Sequence, residues 1–145
     1  MFKLLMSIIL VASAALVQAQ MTPKGLWRNV DDKTGEVKAE IRIRDVGGGV
    51  LSGVVERRFS KTAKPDAVCD KCTDDRKNKP ILGMEIIRGA KKVEGRLLWE
   101  GGTILDPRNG RDYTLRMTLI EGGKKLEVRG SFGPFGRTQT WIRVQ

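Results

Sequence analysis

Val37-Lys38-Ala39-Glu40-Ile41-Arg42-Ile43-Arg44 alternates apolar and charged residues with a period of two. On an extended chain this puts Val37, Ala39, Ile41 and Ile43 on one face and the charges on the other, whereas a helix would smear the charges around its axis. Tyr113-Thr114-Leu115-Arg116-Met117-Thr118-Leu119 repeats the pattern, aligning Tyr113, Leu115, Met117 and Leu119, and Leu126-Glu127-Val128-Arg129 repeats it more briefly. Turn signals separate the runs: Asp31-Asp32-Lys33-Thr34-Gly35, Gly47-Gly48-Gly49, Asp106-Pro107-Arg108-Asn109-Gly110 and Glu121-Gly122-Gly123-Lys124. They supply the residues that begin a turn or accept positive φ, as tight antiparallel connections require.

Working outward, the chain reads as strands near 25–30, 37–45, 50–59, 81–88, 92–100, 102–106, 111–120, 125–132 and 137–144. No amphipathic helix stands out. Short strands joined by tight turns imply an all-β, antiparallel, up-and-down meander with no large helix. Closure into a barrel of about eight strands would remove the exposed edges and leave an interior just wide enough for packed side chains or one small ligand. A β-sandwich is the competing arrangement. Lys61 to Pro80 is the one long irregular stretch; it is polar, and it is expected to be a surface excursion.

The first residues follow an export pattern: Lys3, then an apolar run from Leu4 to Leu16, then Val17-Gln18-Ala19. The run falls short of the roughly 20 residues that span a bilayer. Residues 1–19 are therefore expected to be a cleaved signal peptide, residues 20–145 one domain without a transmembrane segment, and the destination the periplasm or the cell exterior. The full chain carries 27 Lys and Arg against 17 Asp and Glu, a net charge of +10, and loss of Lys3 leaves +9. Such a surface attracts anionic partners without determining the fold.

There is no histidine, so the side chain most used for proton transfer near neutral pH and for metal ligation is missing. Glu85, Glu100 and Asp106 show no spacing that would pair them as acid and base. Asp106-Pro107-Arg108-Asn109-Gly110 is better explained as a turn than as a site. Arg57-Arg58 and Lys124-Lys125 read as solvated charge. No catalytic residue, cofactor or metal is expected, and the protein is read as a non-enzyme. Eight aromatic residues in an exported chain argue against a nucleic-acid stacking platform, so no nucleic-acid partner is expected.

Cys69-Asp70-Lys71-Cys72 is an even pair in an exported chain, which points first to a disulfide pinning the long loop. Redox chemistry is the alternative, although the βαβ setting it favours is missing. Zinc would find its site half built. Gly25-Leu26-Trp27 opens the domain and Trp141-Ile142-Arg143 closes it. In a closed meander Gly25, Trp27, Trp141 and Arg143 would meet across the seam, with indole and guanidinium stacked; ordinary burial of both tryptophans is the plainer alternative.

The ordered series Gly25-Leu26-Trp27, Cys69-Asp70-Lys71-Cys72, Pro80-Ile81-Leu82-Gly83-Met84, Gly101-Gly102-Thr103-Ile104-Leu105-Asp106-Pro107 with Asn109-Gly110 and Tyr113, Leu126-Glu127-Val128-Arg129-Gly130 and Gly136-Arg137-Thr138-Gln139-Thr140-Trp141 resembles the bacterial domain-of-unknown-function family 2147. The resemblance covers essentially the whole mature chain and implies an exported, lipocalin-like barrel with no established activity. Gly25-x-Trp27 and Arg143 also look like the first-strand and last-strand features of lipocalins, which carry small, mostly apolar ligands. The chain departs from lipocalins in lacking their C-terminal helix, so a barrel filled by its own side chains is the competing expectation.

Together these readings lead to a non-enzymatic protein binding a small apolar or amphipathic ligand in or at the mouth of a barrel. The expected lining is Ile41, Met84, Leu97, Trp99, Tyr113, Leu115 and Met117. The alternative is an envelope interaction module whose basic surface meets anionic lipid, glycan or a protein partner.

Overall fold

A computed structural model describes residues 21–59 and 64–145; the leader read over residues 1–19 lies outside them. Eight strands follow in order: β1 (Gly25–Val30), β2 (Val37–Asp45), β3 (Leu51–Arg58), β4 (Glu85–Lys92), β5 (Leu98–Asp106), β6 (Arg111–Ile120), β7 (Lys125–Phe132) and β8 (Phe135–Arg143). Each pairs antiparallel with its neighbours in sequence, and β1 pairs with β8 to close the barrel. Trp27 lies opposite Arg143 and Asn29 opposite Trp141, so the opening strand meets the closing one and the sandwich is ruled out.

Period two does the work anticipated for it. Ile41 and Ile43 of β2, Leu115, Met117 and Leu119 of β6, Leu126 and Val128 of β7, and Trp27, Trp99 and Trp141 all belong to one buried apolar cluster. Their registers stack them in layers: Leu119 opposite Leu126 and Leu126 opposite Trp141, then Met117 opposite Val128 and Trp99. Removing this much apolar surface from water is the main term holding such a domain together.

Two of the departures from the sequence reading change the strand map itself. The strand expected at 81–88 begins only at Glu85 and runs to Lys92, because Ile81 to Met84 form a turn: Met84 N–H donates to Ile81 O at 3.1 Å and Gly83 has φ of +86°. The strands expected at 92–100 and 102–106 are one strand, β5, and Val93 to Leu97 make the β4–β5 turn. The sequence reading broke this strand at Gly101, but Gly101 and Gly102 form a bulge, with a register shift between Glu100 and Thr103. A Cβ on Gly102 would lie 2.2 Å from Arg88 O, so only glycine lets β5 bend against β4 here.

The excursion between β3 and β4 lies mostly on the surface, as its polarity suggested, but it has a defined backbone structure. Its described part folds back on itself, with Cys69 N–H donating to Lys79 O (2.9 Å), Asn78 N–H to Cys69 O (2.8 Å) and Ile81 N–H to Ala67 O (3.0 Å). Cys69 and Cys72 form the disulfide and both are buried within the apolar cluster. Buried sulfur is shielded from thiolate attack, which sets this pair apart from the exposed, low-pKa cysteines of redox sites. A ring this small constrains little chain, so replacing both cysteines by alanine is expected to cost about 2 kcal/mol and leave the barrel folded. Urea unfolding with and without reductant measures this.

Candidate functional site

One end of the barrel carries the start of β1, the end of β8 and the β2–β3, β4–β5 and β6–β7 turns, and it is sealed. Trp27 lies there fully buried, its Nε1 donating to Pro23 O at 2.7 Å. The Arg143 guanidinium sits 4.3 Å from the Trp27 ring centroid and donates to Gly123 O (2.7 Å), Lys24 O (2.9 Å) and Thr22 O (2.5 Å). Gly25 allows the C-terminal strand to close over it, since a Cβ there would lie 2.2 Å from Gln145 O. Arg143 therefore stacks on Trp27, as the seam reading expected. Trp141 instead forms the next layer of the core, its Nε1 donating to Gln139 Oε1 at 3.1 Å.

The anticipated lining residues divide into three groups. Ile41, Trp99, Leu115 and Met117 come together inside the barrel, and Met84 joins the same cluster from the turn before β4; all five are buried. Tyr113 is half-buried one layer nearer the opposite end, its hydroxyl accepting from Asn109 Nδ2 at 2.9 Å. Leu97 is 37% exposed in the β4–β5 turn and borders a depression of about 390 Å³ on the outside of the barrel, between Arg96, Arg116 and Arg129. Leu97 thus departs from the expected interior lining, because the β5 strand starts after it.

The opposite end presents exposed rings and cations. The interior rows of β6, β7 and β8 continue past the core into Leu115, Gly130 and Arg137, and then into Tyr113, Phe132, Phe135 and Arg111. Phe132 and Phe135 face each other across a Gly133-Pro134 turn and are 56% and 77% exposed. The Arg111 guanidinium lies 4.7 Å from the Phe132 ring centroid, and Arg137 Nη2 donates to Asp32 Oδ1 at 2.9 Å. Strand pairing of β8 with β1 stops at Trp141, so Phe135 to Thr140 pair in strand register with β7 alone and the hairpin extends past the end of β1. The result is an aromatic and basic mouth above a filled core.

The scan of protein families bears on the same span. Residues 25–143 match the family described as "Uncharacterized protein conserved in bacteria", domain of unknown function 2147. The chain belongs to that family. Among solved structures, this DUF2147 barrel is similar to protein HP1028 from the human pathogen Helicobacter pylori, described as belonging to the lipocalin family, with 18% identity, a TM-score of 0.69, and coverage of 84% of this chain and 82% of that one. At that identity the likeness concerns the fold. A search of curated proteins gave no match.

Beside the mouth of this DUF2147 barrel, the excursion is strapped down by an ion cluster that sequence reading passed over. Arg76 is 4% exposed; it donates to Asp74, to both carboxylate oxygens of Asp112 (2.9 and 3.0 Å) and to Glu85 O (2.9 Å). Arg88 grips Asp75 and Glu85, and Ser52 donates to Glu85. Leu105, opposite Asp112 and on the alternate face from Ile104, is buried as well. The side chain and backbone N–H of Arg76 hold the Asp74 carboxyl down to about 2. A folded-state value below the ordinary one near 4 gives stability that is present above that range and lost as pH falls through about 2. The Tm gap between the wild type and Asp74→Asn should therefore be wide at pH 5 and much narrower by pH 2.

The mouth residues Arg111, Phe132, Phe135 and Arg137 were also missed. Their signal was the apolar pair flanking Gly133-Pro134, which marks a two-residue hairpin whose strands reach its tip. β8 accordingly begins at Phe135 rather than at 137.

Proposed function

We propose that this protein is an exported, non-enzymatic binding protein that holds one amphipathic molecule at the mouth of a filled barrel. The apolar part would lie along Phe132, Phe135 and Tyr113, and an anionic head would rest on Arg111 and Arg137. The observation that carries this reading is the run of interior-facing rows of β6–β8 out of the core into exposed rings flanked by two guanidiniums. Apolar walls with a few well-placed polar groups are how small-ligand sites are built, and Arg suits carboxylate or phosphate because its planar fork binds bidentately. Export is supported by the leader pattern over residues 1–19 and by the disulfide, which persists in oxidising compartments. Mature protein recovered from cells should begin at Gln20; a start at Met1 would contradict export with cleavage.

The test is calorimetric titration with dodecanoate below its micelle concentration. Saturable one-to-one binding is expected, with a negative heat-capacity change and a loss of about tenfold or more in Arg137→Glu. Binding indifferent to both Arg137→Glu and Phe135→Ala would overturn the reading, as would no binding together with a bare polypeptide mass from native cells.

A second reading, an envelope module meeting an anionic polymer through its basic surface, is favoured by one feature. On the outer face Arg116 lies directly opposite Arg129, and like charges so placed repel. Arg129 donates to Thr138 and Arg116 is 3.6 Å from Glu100. Retention on an immobilised anionic glycan that falls with salt and with Arg129→Glu would support this reading; retention insensitive to both would oppose it.

A further inference from the structure

The three tryptophans are buried, yet all three phenylalanines among the described residues, Phe59, Phe132 and Phe135, are exposed. All three lie at the mouth end. Phe59 directly follows β3, and Phe132 and Phe135 form the tip of the β7–β8 hairpin. Scattered exposed apolar residues are ordinary, but a protein that buries its indoles and confines its exposed phenylalanines to one end has an organised apolar surface. In an eight-strand barrel β3 and β7 are four strands apart by either route, so the rings stand on opposite sides of the rim.

Two of these rings carry an arginine on their face: Arg57 lies 5.0 Å from the Phe59 centroid and Arg111 lies 4.7 Å from the Phe132 centroid. Arg137 follows Phe135 by two residues. Arg137 pairs with Asp32 and Arg108 with Asp106, so a phosphate would share Arg137 with a carboxylate, while Arg57 and Arg111 rest against rings. Exposed rings with guanidiniums resting on or close to them present the two chemistries that a bilayer interface takes up, apolar groups for the acyl boundary and cations for the phosphates. A planar surface touches opposite sides of a rim at once, which a groove-filling peptide would not do.

We propose that the mouth end docks on an anionic lipid bilayer, with Phe59, Phe132 and Phe135 entering the headgroup boundary and Arg57, Arg111 and Arg137 meeting lipid phosphates. The net charge of +9 draws the protein to such a surface, and the rings fix which end meets it. This goes beyond ligand binding at the mouth, since the end can dock with the mouth empty. Where both hold, the bilayer is the source of the amphipathic ligand, and that extension rests on the mouth reading.

The mature chain is sedimented with phosphatidylcholine vesicles, with and without phosphatidylglycerol. Binding to the anionic vesicles is expected to be stronger by about tenfold or more, to weaken with salt, and to fall by a similar factor in Phe132→Ser/Phe135→Ser, whose Tm should match the wild type because both rings are exposed. Arg116→Glu/Arg129→Glu, on the outer face, reports how much of the binding is unoriented charge. Equal binding by wild type and the phenylalanine variant, a larger loss in the outer-face variant, or no binding at all would overturn the proposal. So would a dimer in solution that the phenylalanine variant dissolves, because the rings would then be covered by a second copy. Dodecanoate titration of the same proteins separates the two readings: vesicle binding without dodecanoate binding supports docking and ends ligand holding, and the reverse ends docking alone.

Discussion

Trp27→Ala is expected to destabilise the barrel by about 4 kcal/mol, a large share of the total stability of about 5–15 kcal/mol that is usual for a domain. Trp27 has no exposed surface, so alanine leaves a cavity at the sealed end. It also removes the donor to Pro23 O and the ring face under Arg143. These losses fall on the β1–β8 seam, where the strand register covers three residue pairs and Leu26 adds backbone hydrogen bonds with Val144 and Gln145. The urea midpoint should drop sharply. Trp27→Phe keeps most of the volume and should cost about half as much or less, with Pro23 O left unpaired.

Arg76→Ala is expected to cost about 2–3 kcal/mol and to act locally. Removing one partner of a buried ion cluster leaves the others without compensation. Asp74 and Asp112 are each more than a third exposed and can regain water, which keeps the loss below that of a fully buried pair. Arg76→Lys should rescue little, because one ammonium cannot reach Asp74, Asp112 and Glu85 O with the same fork geometry. Hydrogen exchange should show amides of residues 64–84 opening early while those of β6 and β7 stay protected. Equal loss of protection in β6 and β7 would mean that the strap is part of the barrel's cooperative unit.

These two residues mark what the sequence disclosed and what it hid. Trp27 was legible because Gly25-x-Trp27 and Arg143 stand at the two ends of a meander whose closure makes them neighbours. The period-two runs of β2 and β6 were legible for a similar reason: alternation is a local property, and Ile41, Leu115 and Met117 fall on the interior face it dictates. Their role was harder to see. Alternation says which way a side chain points, but whether the interior is filled depends on how large side chains from eight strands share it.

Arg76 was hidden because Asp74-Asp75-Arg76-Lys77 looks like a solvated charge run, and its partner Asp112 lies 36 residues further along the chain. Gly101-Gly102 misled in the opposite direction: a pair that usually ends a strand here bends one, because Arg88 O approaches too closely for any Cβ. At the mouth, Phe132 and Phe135 fell at the edge of an expected turn. Their exposure follows from where β1 stops pairing with β8, and no local pattern announces that.

A filled core with binding at the mouth can be checked by NMR titration of labelled residues 20–145 with dodecanoate, following backbone amides together with the methyl groups of Ile41, Leu115 and Met117. Saturable shifts are expected to be confined to Arg111, Tyr113 and the hairpin from Gly130 to Gln139, with the three core methyls unmoved. Large shifts of those methyls with a silent hairpin would place the ligand inside the barrel and contradict it.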